Sequence, residues 1–101
     1  MSLSNSEKKQ LRAIGHKLNP IVTVAGKGLS ENVIKELNRA LDDHELIKVK
    51  LAVGDREAKQ QVTDELIKLC RCTLVQAIGH TILLHRTAKK PKERLTNLVQ
   101  K

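Results

Sequence analysis

The chain contains no Phe, Tyr or Trp among its 101 residues. Aromatic side chains that stack on bases contribute roughly 1–3 kcal/mol per base in single-strand nucleic-acid binders, and that route is closed to this sequence. Apolar residues still make up 40% of the chain, so a core is possible, but it must be built from Leu, Ile, Val and Ala. No apolar run reaches the roughly 18–20 residues that a membrane span requires. Met1, Ser2, Leu3 and Ser4 lack the basic-then-apolar pattern of a secretory leader, which predicts a soluble, cytoplasmic protein with no membrane partner. Cysteine is scarce. Cys70 and Cys72 lie one residue apart, too close for an unstrained bridge, and read as one thiol buried at a helix end and one free thiol. The spacing of His16, His44, His80 and His85 fits no standard metal-ligand pattern, so no metal, cofactor or small-molecule substrate is expected.

What the chain has in excess is positive charge, a formal net of +8. Up to residue 30, Lys8, Lys9, Arg12, Lys17 and Lys27 face a single acid, Glu7. From residue 86 onward, Arg86, Lys89, Lys90, Lys92, Arg94 and Lys101 again face one acid, Glu93. Residues 31–85 are nearly balanced. Positive charge segregated to both ends of a balanced body favours a polyanionic partner over a merely solubilising surface.

The hydrophobic periodicity predicts one domain of order α-β-α-β-α-β-β over residues 1–87, with a basic, flexible tail over 88–101. Ser4 and Glu7 fit a capping box ahead of Leu11, Ile14 and Leu18, which share a helical face. Lys8, Arg12 and His16 form an i, i+4, i+8 row on the same helix. Residues 21–24 read as a short strand buried on both faces. Ser30 caps a second helix with a stripe of Val33, Ile34, Leu37, Ala40 and Leu41. Residues 46–51 alternate, which turns Ile47, Val49 and Leu51 to one side and Lys48 and Lys50 to the other. Asp55 caps a third helix whose predicted stripe is Ala58, Val62, Leu66, Leu69 and Cys70. Two β-rich runs, 73–78 and 81–85, flank Gly79 and His80, a pair suited to a type II′ hairpin. The expected fold is a mixed α/β (α+β) domain. Its four-stranded sheet has a parallel core from two β-α-β crossovers, with one antiparallel strand added by the hairpin.

The most informative segment is the strand-to-helix junction, where the apolar strand runs into Ala25, Gly26, Lys27 and Gly28 before the Ser30 cap. Backbone N–H groups, a helix N-terminus and an ammonium placed together attract phosphate. This segment, the run from His44 to Lys50 and the closing run from Val75 to Arg86 resemble the CRM domain, whose stand-alone bacterial members are called YhbY-like. The resemblance covers residues 4–87 and implies an RNA-binding module similar in fold to the C-terminal domain of bacterial translation initiation factor three. Stand-alone bacterial members are associated with precursors of the large ribosomal subunit, and plant organelle relatives assist intron splicing. The family's G-x-x-G loop, comparable to that of KH domains, falls on residues 25–28, with Ala25 in place of the first Gly.

These readings predict a protein that binds ribosomal RNA through the loop residues Ala25, Gly26, Lys27, Gly28 and Ser30. The basic surface is expected at Lys8, Arg12 and Lys17, extended by Lys48, Lys50 and Arg86. Without aromatics, recognition is expected to be of backbone and shape. One alternative is a protein-interaction module on the ribosome or an assembly factor, with the basic ends as tethers. Another is a small nuclease or RNA-modifying enzyme drawing on His80 and His85 with Asp42, Asp43 and Glu45, although the spacing forms no recognisable nucleophile–base pair.

Overall fold

The computed structural model describes residues 5–25 and 29–87. Helix α1 (Asn5–Gly15) presents Leu11 and Gly15 inward; its expected cap, Ser4, lies outside the described residues, as does the tail. Strand β1 (Pro20–Val24) follows. Helix α2 (Glu31–His44) opens where the Ser30 hydroxyl accepts the Val33 N–H at 3.2 Å. Strand β2 (Leu46–Leu51) leads to helix α3 (Arg56–Cys70), capped by an Asp55 carboxylate that accepts the Ala58 N–H at 2.9 Å. Strands β3 (Thr73–Ile78) and β4 (Thr81–His85) complete the domain. Gly79 has φ of +56° while His80 keeps a negative φ, the combination a type II′ turn demands.

The sheet order is β1-β2-β4-β3. Only β1 and β2 pair in parallel; β4 runs antiparallel to both β2 and β3 and lies between them. The expected parallel core is therefore confined to one pair, with the hairpin strand inside the sheet. Burial explains the arrangement. Ile82, Leu83 and Leu84 of β4 are all buried and need a neighbour on each side, whereas β3 ends in exposed Ala77 and Ile78 and tolerates the edge.

Helices α2 and α3 cover one face of the sheet. Their core joins Leu37, Leu41, Leu66 and Cys70 to Val22, Val24, Ile47, Val49, Leu51, Ile82 and Leu84. Among the described residues, helix α1 covers part of the other face, where Leu11 meets Leu46, Val75 and Leu83, with Ile14 and Leu18 against them. A Cβ built on Gly15 would stand 2.5 Å from Leu83 Cδ2, so glycine lets α1 sit close to the sheet. At β3 the register shifts between Leu74 and Gln76, a bulge that turns both Val75 and Gln76 toward the α1 side.

Three further expectations are corrected. Strand β1 is buried on one face only: Ile21 is 51% exposed, because α1 does not reach over the edge strand. Leu69 is 53% exposed on α3, and Thr63 takes an inward position instead, its hydroxyl donating to the Lys59 carbonyl at 2.7 Å. Cys70 is buried at the end of α3 as expected, and Cys72, expected as the free thiol, is free but buried as well. No described helix is long and apolar enough to cross a membrane.

Candidate nucleic-acid interface

The alternation of β2 decides where its lysines go. Leu46, Lys48 and Lys50 share the α1 face, and since Leu46 is covered by α1, the helix ends before the two lysines. Lys48 is half-buried and Lys50 exposed. Beside them on this face lie Thr23 of β1, paired with Lys50, and Thr81 of β4, also paired with Lys50. The sheet is therefore roofed by α1 at one end and open at the other. The open end is also where β1 and β2 finish, held together by the Ala52 N–H donating to the Val24 carbonyl at 2.7 Å. The Leu51 N–H donates to the His80 carbonyl at 2.6 Å, which ties the β3–β4 turn to the same rim.

Two concavities flank Lys48 where the chain leaves α1. One, of about 450 Å³, is lined by His16, Leu18, Asn19, Gln76, Ile78 and Thr81 among others. The second, of about 300 Å³, lies toward β1 and includes Lys17, Ile21 and His44. They share Leu18, Asn19 and Lys48, so they form one continuous groove, and no acid is among the described residues that line either part. Lys8 and Arg12 continue the helical row that ends at His16; Lys8 is half-buried and Arg12 exposed. Lys17 projects from the opposite flank of the helix end, into the second concavity. Five of the six basic residues expected to form a surface, Lys8, Arg12, Lys17, Lys48 and Lys50, therefore belong to one layer of the molecule.

Arg86 is the exception. Its guanidinium turns to the other face and donates to Asn38 Oδ1 and the Cys70 carbonyl, both at 2.7 Å, and to the Asn38 carbonyl at 2.8 Å and Asp42 Oδ1 at 2.9 Å. Its side chain is only 20% exposed. A planar fork with five donors suits this clamp on α2 and the end of α3, and the backbone N–H of Arg86 also donates to the Glu45 carbonyl at 2.9 Å. Arg86 therefore holds helices together and is removed from the candidate contact surface.

Of the predicted loop, Ala25 and Ser30 are described, whereas Gly26, Lys27 and Gly28 lie outside the described residues. Ala25 does not have a positive φ; among the described non-glycine residues only Glu45 and Arg71 do. Alanine therefore stands at the first loop position without backbone strain. The Ser30 side chain is engaged in capping α2.

Charge is divided across the sheet rather than only along the chain. Lys8, Lys9, Arg12, Lys17, Lys48 and Lys50 of α1, its exit and β2 face a single acid, Glu7, while Glu45 is buried at the start of β2. The α2–α3 layer, with the Asp55 and Arg71 caps and the Arg86 clamp, carries eight acids against Lys35, Arg39, Arg56, Lys59, Lys68, Arg71 and Arg86, and so is close to neutral. Of the acids proposed for catalysis, Asp42 and Asp43 sit on that other layer, Asp42 bound to Arg86 and Asp43 4.0 Å from Arg39, whereas Glu45 is buried near His85. His80 and His85 stand at opposite ends of β4, about 16 Å apart at roughly 3.3 Å per residue, so they share no reaction centre.

The groove residues Asn19, Gln76 and Thr81 escaped sequence reasoning. Gln76 reaches this face only through the bulge, and a bulge leaves no mark in a period-two pattern.

Comparison with known proteins places this geometry. Residues 3–86 match the CRS1 / YhbY (CRM) domain. A protein of Pseudomonas aeruginosa named a probable RNA-binding protein is 48% identical over 98 residues, which span 97% of this chain and 94% of that one. A protein of Haemophilus influenzae named an RNA-binding protein is 42% identical, with 93% and 95% of the two chains covered. The solution structure of a hypothetical protein from Staphylococcus aureus superposes with a TM-score of 0.78 at 34% identity, covering 91% of this chain and 96% of that one. With a family match over nearly all of the described domain and relatives similar along their full length, the chain belongs to the CRS1/YhbY (CRM) domain family.

Proposed function

We propose that this protein binds RNA through the α1 layer and the open half of the sheet, and that its target is structured ribosomal RNA in a precursor of the large subunit in the cytoplasm. The observation that carries the reading is the charge division: Lys17 and Lys48 line a groove with no acid among its described lining residues, Lys8, Arg12 and Lys50 belong to the same layer, and the acids of α2 and α3 lie behind the sheet. Two relatives named as RNA-binding proteins support it. The mechanism is backbone capture. Lysine and arginine side chains replace condensed counterions along the phosphates, and the released ions drive binding. Lys48 and Lys50 supply fixed charge from a rigid strand, while Lys8, Arg12 and Lys17 supply it from the helix and its exit. Lys27 adds a cation from the strand-to-helix segment, and the role proposed for residues 25–30 is to meet phosphate at the rim where β1 and β2 end.

Titration of a ribosomal RNA fragment over a range of salt concentrations tests the reading. About five phosphate contacts give log K against log salt a slope of about −4 to −5. Lys48→Glu with Lys50→Glu should weaken binding at every salt concentration and flatten the slope by about 2, with an unchanged circular dichroism spectrum. Lys27→Glu should weaken it too. Wild-type affinity in the folded double variant would reject the surface. Tight capture of a protein partner together with weak, salt-insensitive RNA binding would favour an interaction module instead.

A further inference from the structure

The groove beside Lys48 contains more than charge. We infer that it takes one unpaired nucleotide of the bound RNA, with the base held in the larger concavity and its phosphate at Lys48. This inference rests on the proposed RNA-binding reading and deepens it by naming the feature the RNA must offer.

Three observations converge. First, the concavity of about 450 Å³ falls within the roughly 300–1,000 Å³ common for small-ligand sites, the scale of a nucleoside rather than of an ion. Second, its walls combine aliphatic surface with hydrogen-bonding groups. Ile78 is 64% exposed and, with Leu18, offers flat apolar contact of the kind that holds extruded bases where aromatics are lacking. Gln76 presents a carbonyl and an amine side by side, and Thr81 a hydroxyl, the groups that read the edges of unpaired bases. Among the described residues neither side chain has an intramolecular hydrogen-bond partner, so both are available. Third, the charge complements a nucleotide in particular. Lys48 is shared by both concavities and Lys17 lines the second, so a phosphate seated between them would leave its base directed toward Gln76. A paired helix would present phosphates to Lys48 but could not insert a base.

The experiment compares RNA hairpins of identical stem sequence, one fully paired and four carrying a single bulged A, C, G or U. Each is titrated with the wild-type protein and with the charge-neutral variants Gln76→Leu, Thr81→Val and Ile78→Ser. Wild type is expected to bind at least one bulged hairpin about fivefold or more tightly than the paired one, the discrimination one good side-chain–base pair provides. Gln76→Leu and Ile78→Ser, which change no charge, should lower affinity for that bulged hairpin about fivefold more than for the paired one and leave the salt slope unchanged. Thr81→Val should alter the ranking of the four bulges. Ile78 and Gln76 lie at the sheet edge, and matching thermal transitions would show that the variants fold. Equal wild-type affinity for bulged and paired hairpins, with the steep salt slope kept, overturns the inference and spares the RNA-binding reading. Failure to bind any hairpin overturns both.

Discussion

Arg86 illustrates how a residue's type and its role separate. As the first of the cluster of cations that ends the sequence it reads as part of a basic tail, yet its fork is spent on Asn38, Cys70 and Asp42. Arg86→Ala should destabilise the domain by about 2–4 kcal/mol, because truncation leaves partly buried acceptors unmatched. Arg86→Lys should not restore it, since an ammonium cannot span the same acceptors; urea denaturation of the three proteins checks this. The cysteines carry a second residue-scale prediction. Burial raises both thiols, Cys72 to about 11. Both should therefore react slowly with a thiol reagent at pH 8 in the native protein and rapidly in denaturant. His85 carries a third. Burial pushes its imidazole below the ordinary value, against the pull of the Glu45 and Glu7 carboxylates. The folded state thus disfavours the proton. The stability contributed by neutral His85 is complete above about pH 6.5, and is lost as pH falls through the lowered folded value. Denaturation midpoints measured down to pH 5 should fall for wild type and fall less for His85→Gln.

Elements were legible wherever their burial follows one period. The caps at Ser30 and Asp55, the alternation of β2 and the hairpin at Gly79 all stand as the sequence predicts, because each is decided by local chemistry. Errors arose where neighbours decide. Ile21 looks like core until β1 proves to be an edge strand that no described helix covers on that side, and Leu69 fits a helical stripe that α2 does not meet. The insertion of β4 between β2 and β3 depends on which strand must be buried on both sides, a property of the assembled sheet. The contact of α1 with the sheet gives an element-scale prediction. Gly15→Ala would drive a methyl group into Leu83 and should cost about 1–3 kcal/mol. Combined with Leu83→Val, it should cost less than the sum of the single changes, since the shorter side chain relieves the same clash.

At the scale of the molecule, the sequence revealed an excess of cations but misplaced the boundary. Residues 31–85 look electrically neutral only because acidic helices and a basic strand are summed together; folding sends them to opposite faces. The groove between those cations is a property of the fold as a whole, made by the short reach of α1 over a wider sheet. The central claim is that RNA lies on this face. Backbone amide shifts of the labelled protein, followed by NMR during titration with a ribosomal RNA fragment, test it most directly. The account predicts that the largest changes fall on residues 16–19, on Lys48 and Lys50, and on Gln76 to Thr81, with the outward faces of α2 and α3 little affected. Shifts concentrated on α2 and α3, with the groove unmoved, would contradict it.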